Sequence, residues 1–195
     1  MLASIHPLGE RARGQRFGIT VAAYTVGSVL GGATYGGVLS VLGRALLGGD
    51  SGAAALTVLA VAALAAAALD HAGIMVPSWH RQVNEDWLAE FRGWVYGLGF
   101  GYQLGLGVVT IVTTASVYLT GLAALLTADP PAGLGIGVAF GLARAVPLLA
   151  AARTRTPEAV AARVRTLDAW AGTFRGVTVA TELLMAAAVV VVAAR

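Results

Sequence analysis

Two ionisable residues sit inside long apolar runs: Arg144 in GIGVAFGLARAVPLLAA and Glu182 in GVTVATELLMAAAVVVV. A charge at the centre of a bilayer costs at least about 2.5 kcal/mol even on insertion scales. At 1.5 Å per residue both lie roughly 10–14 Å from the same end of their runs. Equal depth and opposite sign predict that they pair, either as a fixed bridge between two helices or as a gated, proton-coupled site. Pro147 removes a backbone donor three residues from Arg144, which predicts a hinge beside the charge. On the preceding apolar segment Gln103, Thr110 and Thr114 fall at spacings of seven and four, one face of a helix. That face would turn an amide and two hydroxyls toward the pair. The chemistry of such a set is binding of a small solute or ion inside the membrane. Arg144, Glu182, Gln103, Thr110 and Thr114 would be the binding residues and Pro147 the structural hinge. Threonine hydroxyls also bond their own helix carbonyls, which is the purely structural alternative.

Other chemistries find little to work with. The chain has no cysteine, so disulfides, thiol relays and thiolate metal sites are excluded. His6, His71 and His80 are scattered, and no metal site is expected. His80 with Glu85 and Asp86 lacks the spacing of a ligand set. Asp70 and His71 read as a solvated helix end. No HExxH, GxSxG or Walker A pattern occurs, so no catalytic residue and no cofactor is expected.

Of the 195 residues, 57% are hydrophobic and 12% charged, where a soluble domain carries about a quarter charged. The fold class is therefore an all-α polytopic membrane protein. The formal charge of +3 comes from arginines placed as membrane loops require, so no nucleic-acid partner is implied. Runs able to cross about 30 Å of hydrocarbon need about 20 residues. Five meet that length, at 17–43, 53–70, 95–127, 132–152 and 171–194. The third is long for one span and must tilt, protrude or break near Gly105–Gly107. Arg11, Arg13 and Arg16 precede the first run, Arg81 and Arg92 lie between the second and third, and Arg153, Arg155, Arg163 and Arg165 lie between the fourth and fifth. The alternate connections hold only Arg44. Basic loops face the cytoplasm. The expected location is a bacterial cytoplasmic (inner) membrane, N-terminus in the cytoplasm and C-terminus outside. The polar N-terminus reads as the flank of a retained first helix rather than as a signal peptide.

Small residues recur every fourth position at Gly93, Gly97, Gly101 and Gly105, and again at Ser28, Gly32, Gly36 and Ser40, with Gly27 and Gly31 in a neighbouring row. Such faces let helix backbones approach closely in lipid, so these glycines are packing residues, a glycine zipper. They also suit a second copy of the chain or a partner in a membrane complex. Residues 77–94 carry Trp79, Val83, Trp87, Phe91 and Trp94 at helical spacing with a polar back, an amphipathic interfacial helix. A cytoplasmic helix over 157–170 starts with Thr156 as N-cap and Pro157 at N1. Arg16–Leu47 and Arg92–Ala123, shifted by 76, form a weak internal repeat.

The stretches GWVYGLGFGYQLGLGVVTIVTTASVYL and GIGVAFGLARAVPLLAA resemble the CcdA/DsbD-type transmembrane domain of the LysE-like superfamily. The resemblance covers about 93–152. It implies repeated glycine-rich helices and alternating access. Thiol relays of that type carry a cysteine beside proline in the leading helix of each unit, where this chain has Val112-Thr113-Thr114. Thiol–disulfide transport is thereby excluded.

The leading functional expectation is a translocator of a small solute or ion, with its site between the third, fourth and fifth spans. The alternative is a non-catalytic membrane subunit that anchors or matures a redox or envelope complex. An intramembrane enzyme ranks third, since no catalytic set is visible.

Overall fold

The computed structural model describes residues 5–48, 52–79, 86–150 and 156–193. Among them the regular elements are helices: α1 (Pro7–Ala12), α2 (Phe17–Leu47), α3 (Ala53–Ala72), α4 (Trp87–Glu90), α5 (Gly93–Gly105), α6 (Ser116–Thr127), α7 (Pro130–Ala150), α8 (Pro157–Ala169) and α9 (Ala171–Ala193). Four of these, α2, α3, α7 and α9, are long and apolar enough to cross a membrane. The expected count of five is not confirmed among the described residues. The third run is not one helix. It is α5, ten residues of irregular chain, and the short α6.

The break has a local cause. Gly107 takes a left-handed backbone, φ 71°, which ends α5. The next seven residues, Val108 to Thr114, are all β-branched, and such side chains lose rotamer freedom in a helix.

Helix α2 is the axis of the molecule, and its two rows of small residues receive two different helices. Cβ atoms added at Gly27 and Gly31 would run into the carbonyls of Leu98 and Tyr102 on α5. Cβ atoms at Gly32 and Gly36 would run into the carbonyls of Gly137 and Gly133 on α7. The fit is reciprocal. Gly101 and Gly105 of α5 lie against the Tyr24 and Ser28 carbonyls, and Gly141 of α7 lies against Ser28 as well. Ser28 Oγ donates to the Gly141 carbonyl at 2.7 Å. Backbone-to-backbone contact of this kind needs small side chains on both partners.

These contacts fix direction. Gly93 of α5 meets Thr20 near the start of α2, while Leu125 of α6 meets Gly43 near its end. The broken segment α5–α6 therefore runs beside α2 in the same direction. Helix α7 runs back, with Gly133 beside Ser40 and Gly141 beside Ser28. Helix α9 packs against α3, and α3 also touches α6. Gly73, in the left-handed region at the end of α3, lies against Arg175 at the start of α9, so those two run antiparallel.

Two cores result. Ile5, Tyr24, Tyr96, Phe100, Ala145 and Leu148 close the end where α1, α2, α5 and α7 meet. Ala63, Ala66, Ala115, Leu119 and Ala186 join α3, α6 and α9.

Within the stretch 77–94 expected to form an amphipathic helix, the described residues hold α4, while Ile74–Trp79 has no helical structure and Phe91–Arg92 separates α4 from α5. Positions 80–85 of that stretch, with Arg81, Val83 and Glu85, lie outside the described residues, as do Arg153, Arg155 and Arg195. Helix α8 begins with Thr156 Oγ1 accepting the Ala159 N–H.

Candidate functional site

The structure separates Arg144 from Glu182. Arg144, on α7, borders the first core. Its guanidinium stands 5.4 Å from the centre of the Phe140 ring and near Tyr24, with Nε buried and unbonded. Glu182, on α9, borders the second core and is 2% exposed. Its Oε1 accepts from Ser116 Oγ at 2.7 Å. No ion pair joins the two among the described residues. Equal depth along two helices did not bring them together, because α7 is committed to α2 and α9 to α3.

The shared face of Gln103, Thr110 and Thr114 also dissolves. Gln103 is on α5, whereas Thr110 and Thr114 lie in the irregular chain beyond it. Thr110 is buried, and Thr114 lines a cavity between α3 and α9. Pro147 lies inside α7, which continues through it to Ala150.

What the chain does assemble is a junction of α3, α6 and α9. Asp70 is not a solvated helix end: it is 6% exposed, and its two carboxylate oxygens accept the Ala115 N–H at 2.9 and 3.1 Å. Asp70 thus caps α6 from another helix. A helix N-terminus has backbone donors with no partner of their own and favours negative charge. One turn further into α9's interface, Glu182 holds Ser116 at the first position of the same helix. Asp70 faces Glu182 across the junction. Beside them an open cavity of about 400 Å³ is lined by Asp70, Thr113, Thr114, Phe174, Arg175 and Thr178. Sequence reading missed Asp70 because its position, last turn before Gly73, looks the same whether the helix ends in water or against another helix.

A second polar cluster was also missed. Glu10, on α1, is fully buried. It accepts from Arg13 at 2.6 Å, from Thr20 at 2.5 Å and from the Tyr96 hydroxyl at 2.5 and 2.6 Å. Gln15 Oε1 accepts the Gly93 N–H at 3.0 Å alongside. Burial works against the charge of Arg13, but its hydrogen bonds and charge contact with Glu10 and Tyr96 outweigh that and raise its pKa. The cluster ties α1 to the starts of α2 and α5. Both oxygens of this buried carboxylate have donors, the arrangement expected of a structural lock. The only forward signal was an acid among arginines, which composition alone reads as a loop.

Comparison with known proteins gives three relatives. The chain is 35% identical over 133 residues to the methylamine utilization protein MauF of Paracoccus denitrificans, covering 66% of this chain and 47% of that one. It is 32% identical over 151 residues to MauF of Paracoccus versutus, covering 75% and 55%. It is 28% identical over 151 residues to MauF of Methylophilus methylotrophus, covering 75% and 53%. The chain spans about half the length of the curated relatives it matches. No family model matches. No solved structure matches. These relatives overturn the resemblance to the CcdA/DsbD-type domain. What suggested that resemblance was glycine at spacing four, and the structure shows those glycines serving close helix contact, a need common to many membrane folds.

Proposed function

We propose that the chain is a non-catalytic membrane protein that anchors or matures a redox complex of the cell envelope, in a system that uses a small amine. The observation that carries this reading is the similarity to three methylamine utilization proteins over two thirds to three quarters of the chain. The fold agrees with it. Its most conspicuous sequence features, the small-residue rows, are spent on internal packing of α2 with α5 and α7. Of the residues that motivated a translocator, Arg144 stands against Phe140 on α7 and Glu182 bonds Ser116 at the start of α6. The working location is a bacterial inner membrane, with α1 and α8 on the cytoplasmic side.

The test is deletion of the gene in its host, followed by growth on methylamine as nitrogen source and on ammonium. The expected result is loss of growth and of amine-oxidising activity on methylamine, normal growth on ammonium, and restoration by the gene in trans. Undiminished amine-oxidising activity in the deletion strain would sink the proposal. Methylamine uptake into vesicles that depended on the isolated chain would return the translocator reading.

A further inference from the structure

The α3–α6–α9 junction holds an unsatisfied atom. Glu182 Oε2 is buried and has no hydrogen-bond donor. Its neighbour is the Asp70 carboxylate, which supplies only acceptor oxygens when ionised. The other oxygens are occupied: Glu182 Oε1 by Ser116, and both Asp70 oxygens by the Ala115 N–H. Asp70 and Glu182 bind the adjacent residues Ala115 and Ser116, which places two buried carboxylates side by side, and like charges so placed disfavour each other. A single proton removes the conflict, since it makes one carboxyl a donor to the other and satisfies the vacant oxygen.

The setting suits exchange of that proton. Asp70 opens onto the cavity of about 400 Å³, whose rim bears the hydroxyls of Thr113, Thr114 and Thr178. The charged groups around the pair come from both packed helices: Asp70 from α3, and Arg175 from α9 at the cavity mouth against Gly73. The start of α6 brings the Ser116 hydroxyl and, just before it, the Ala115 N–H. The junction also lies where irregular backbone, 106–115, meets α6, and such backbone at membrane depth is tolerated where protein buries it or a cavity wets it.

We infer that Asp70 and Glu182 form a proton-binding carboxyl pair, with the proton on the Glu182 oxygen that has no other donor, given to Asp70 and exchanged through the Thr113–Thr178 cavity. The inference rests on this geometry and not on the function proposed above. With the proton bound, the pair links α9 to α3 and leaves the Asp70 oxygens on the α6 N-terminus. Loss of the proton puts two like charges together and loosens α9.

Infrared difference spectroscopy of the purified chain in nanodiscs tests this. The wild type at pH 7 is expected to show a protonated-carboxyl C=O band that shifts in D₂O. Glu182→Gln and Asp70→Asn should each abolish the band while the chain remains folded, because either amide can donate to the remaining carboxylate. Glu10→Gln should leave it in place. Absence of the band in the wild type, its survival in both junction variants, or its loss in Glu10→Gln would each overturn the proposal. So would displacement of the band by sodium or methylammonium chloride at fixed pH, which would make the pair a cation site instead.

Discussion

Ser28 on α2 touches two helices at once: its hydroxyl bonds the Gly141 carbonyl of α7 at 2.7 Å, and its own carbonyl lies against Gly105 of α5. One turn of α2 thus sets the spacing of three helices. Gly101→Ala and Gly32→Ala should each destabilise the protein, because the new Cβ would meet backbone carbonyls that have no rotamer to yield. Overpacking of this kind costs about 1–3 kcal/mol. Gly135→Ala faces open space and should be neutral, or stabilising by up to about 1 kcal/mol. Thermal unfolding in detergent, monitored by helix content, separates the two groups.

The Glu10 cluster predicts a comparable effect from removal of a single atom. Tyr96→Phe removes one hydroxyl that donates to both oxygens of a fully buried carboxylate. The expected loss is about 1.5–3 kcal/mol, the range for a hydrogen bond to a charged group. Arg13→Gln should also destabilise. The raised pKa of Arg13 fixes the pH signature. A cation held above its unfolded value contributes its full stability at every pH below that value and loses it only as pH rises through the folded value. Titration of Arg13 should therefore contribute no change in stability between pH 6 and 9. A loss of the Arg13 contribution inside that window would contradict the pairing seen here.

Asp70 caps α6 across a helix boundary, and removing the cap should be measurable. Asp70→Ala is expected to cost about 1–2 kcal/mol, as other N-cap losses do. Asp70→Asn keeps an acceptor for the Ala115 N–H and should cost less. Hydrogen exchange at the first turn of α6, Ser116 to Leu119, should rise in Asp70→Ala and leave α2 unchanged. Uniform loosening of all helices would point to a general core defect instead of a lost cap.

The absence of cysteine makes topology directly testable. Because α7 runs back along α2, the α6–α7 turn lies at the opposite end of the bundle from α1. Single cysteines at Arg11, Ala132 and Thr166 replace exposed residues. With the N-terminus in the cytoplasm, an impermeant maleimide added to whole cells should label only Ala132→Cys. Labelling of Arg11→Cys from outside would reverse the proposed orientation.

How much of this was legible depends on the range of the signal. Helix identity and the two small-residue rows of α2 follow from composition and spacing. So does the weakness near Gly105–Gly107, where glycine meets a β-branched run. The partners of those rows did not follow, since periodicity marks a face and is silent on which helix covers it. Gln103, Thr110 and Thr114 misled because their spacing has meaning only if the helix continues, and it ends at Gly105. Asp70 and Glu10 were hidden for the converse reason. Their roles come from residues 45 and 86 positions away, Ala115 and Tyr96, and no local pattern encodes such contacts.

The clearest trial of the arrangement is the pair that depth alone would have joined. Arg144 leans on Phe140 beside the first core, and Glu182 bonds Ser116 beside the second. Residues without shared partners give additive mutational effects, within about 0.3–0.5 kcal/mol. A double-mutant cycle with Arg144→Met and Glu182→Gln should therefore show coupling no larger than that. A buried ion pair would behave differently: each single change would strand the other charge at about 3–5 kcal/mol, and the double change would recover much of the loss. Recovery in the double variant would mean that α7 and α9 meet in the membrane in a way this packing does not allow. Additivity would place the two residues in separate helix groups, with Glu182 answering to Asp70 and Ser116 alone.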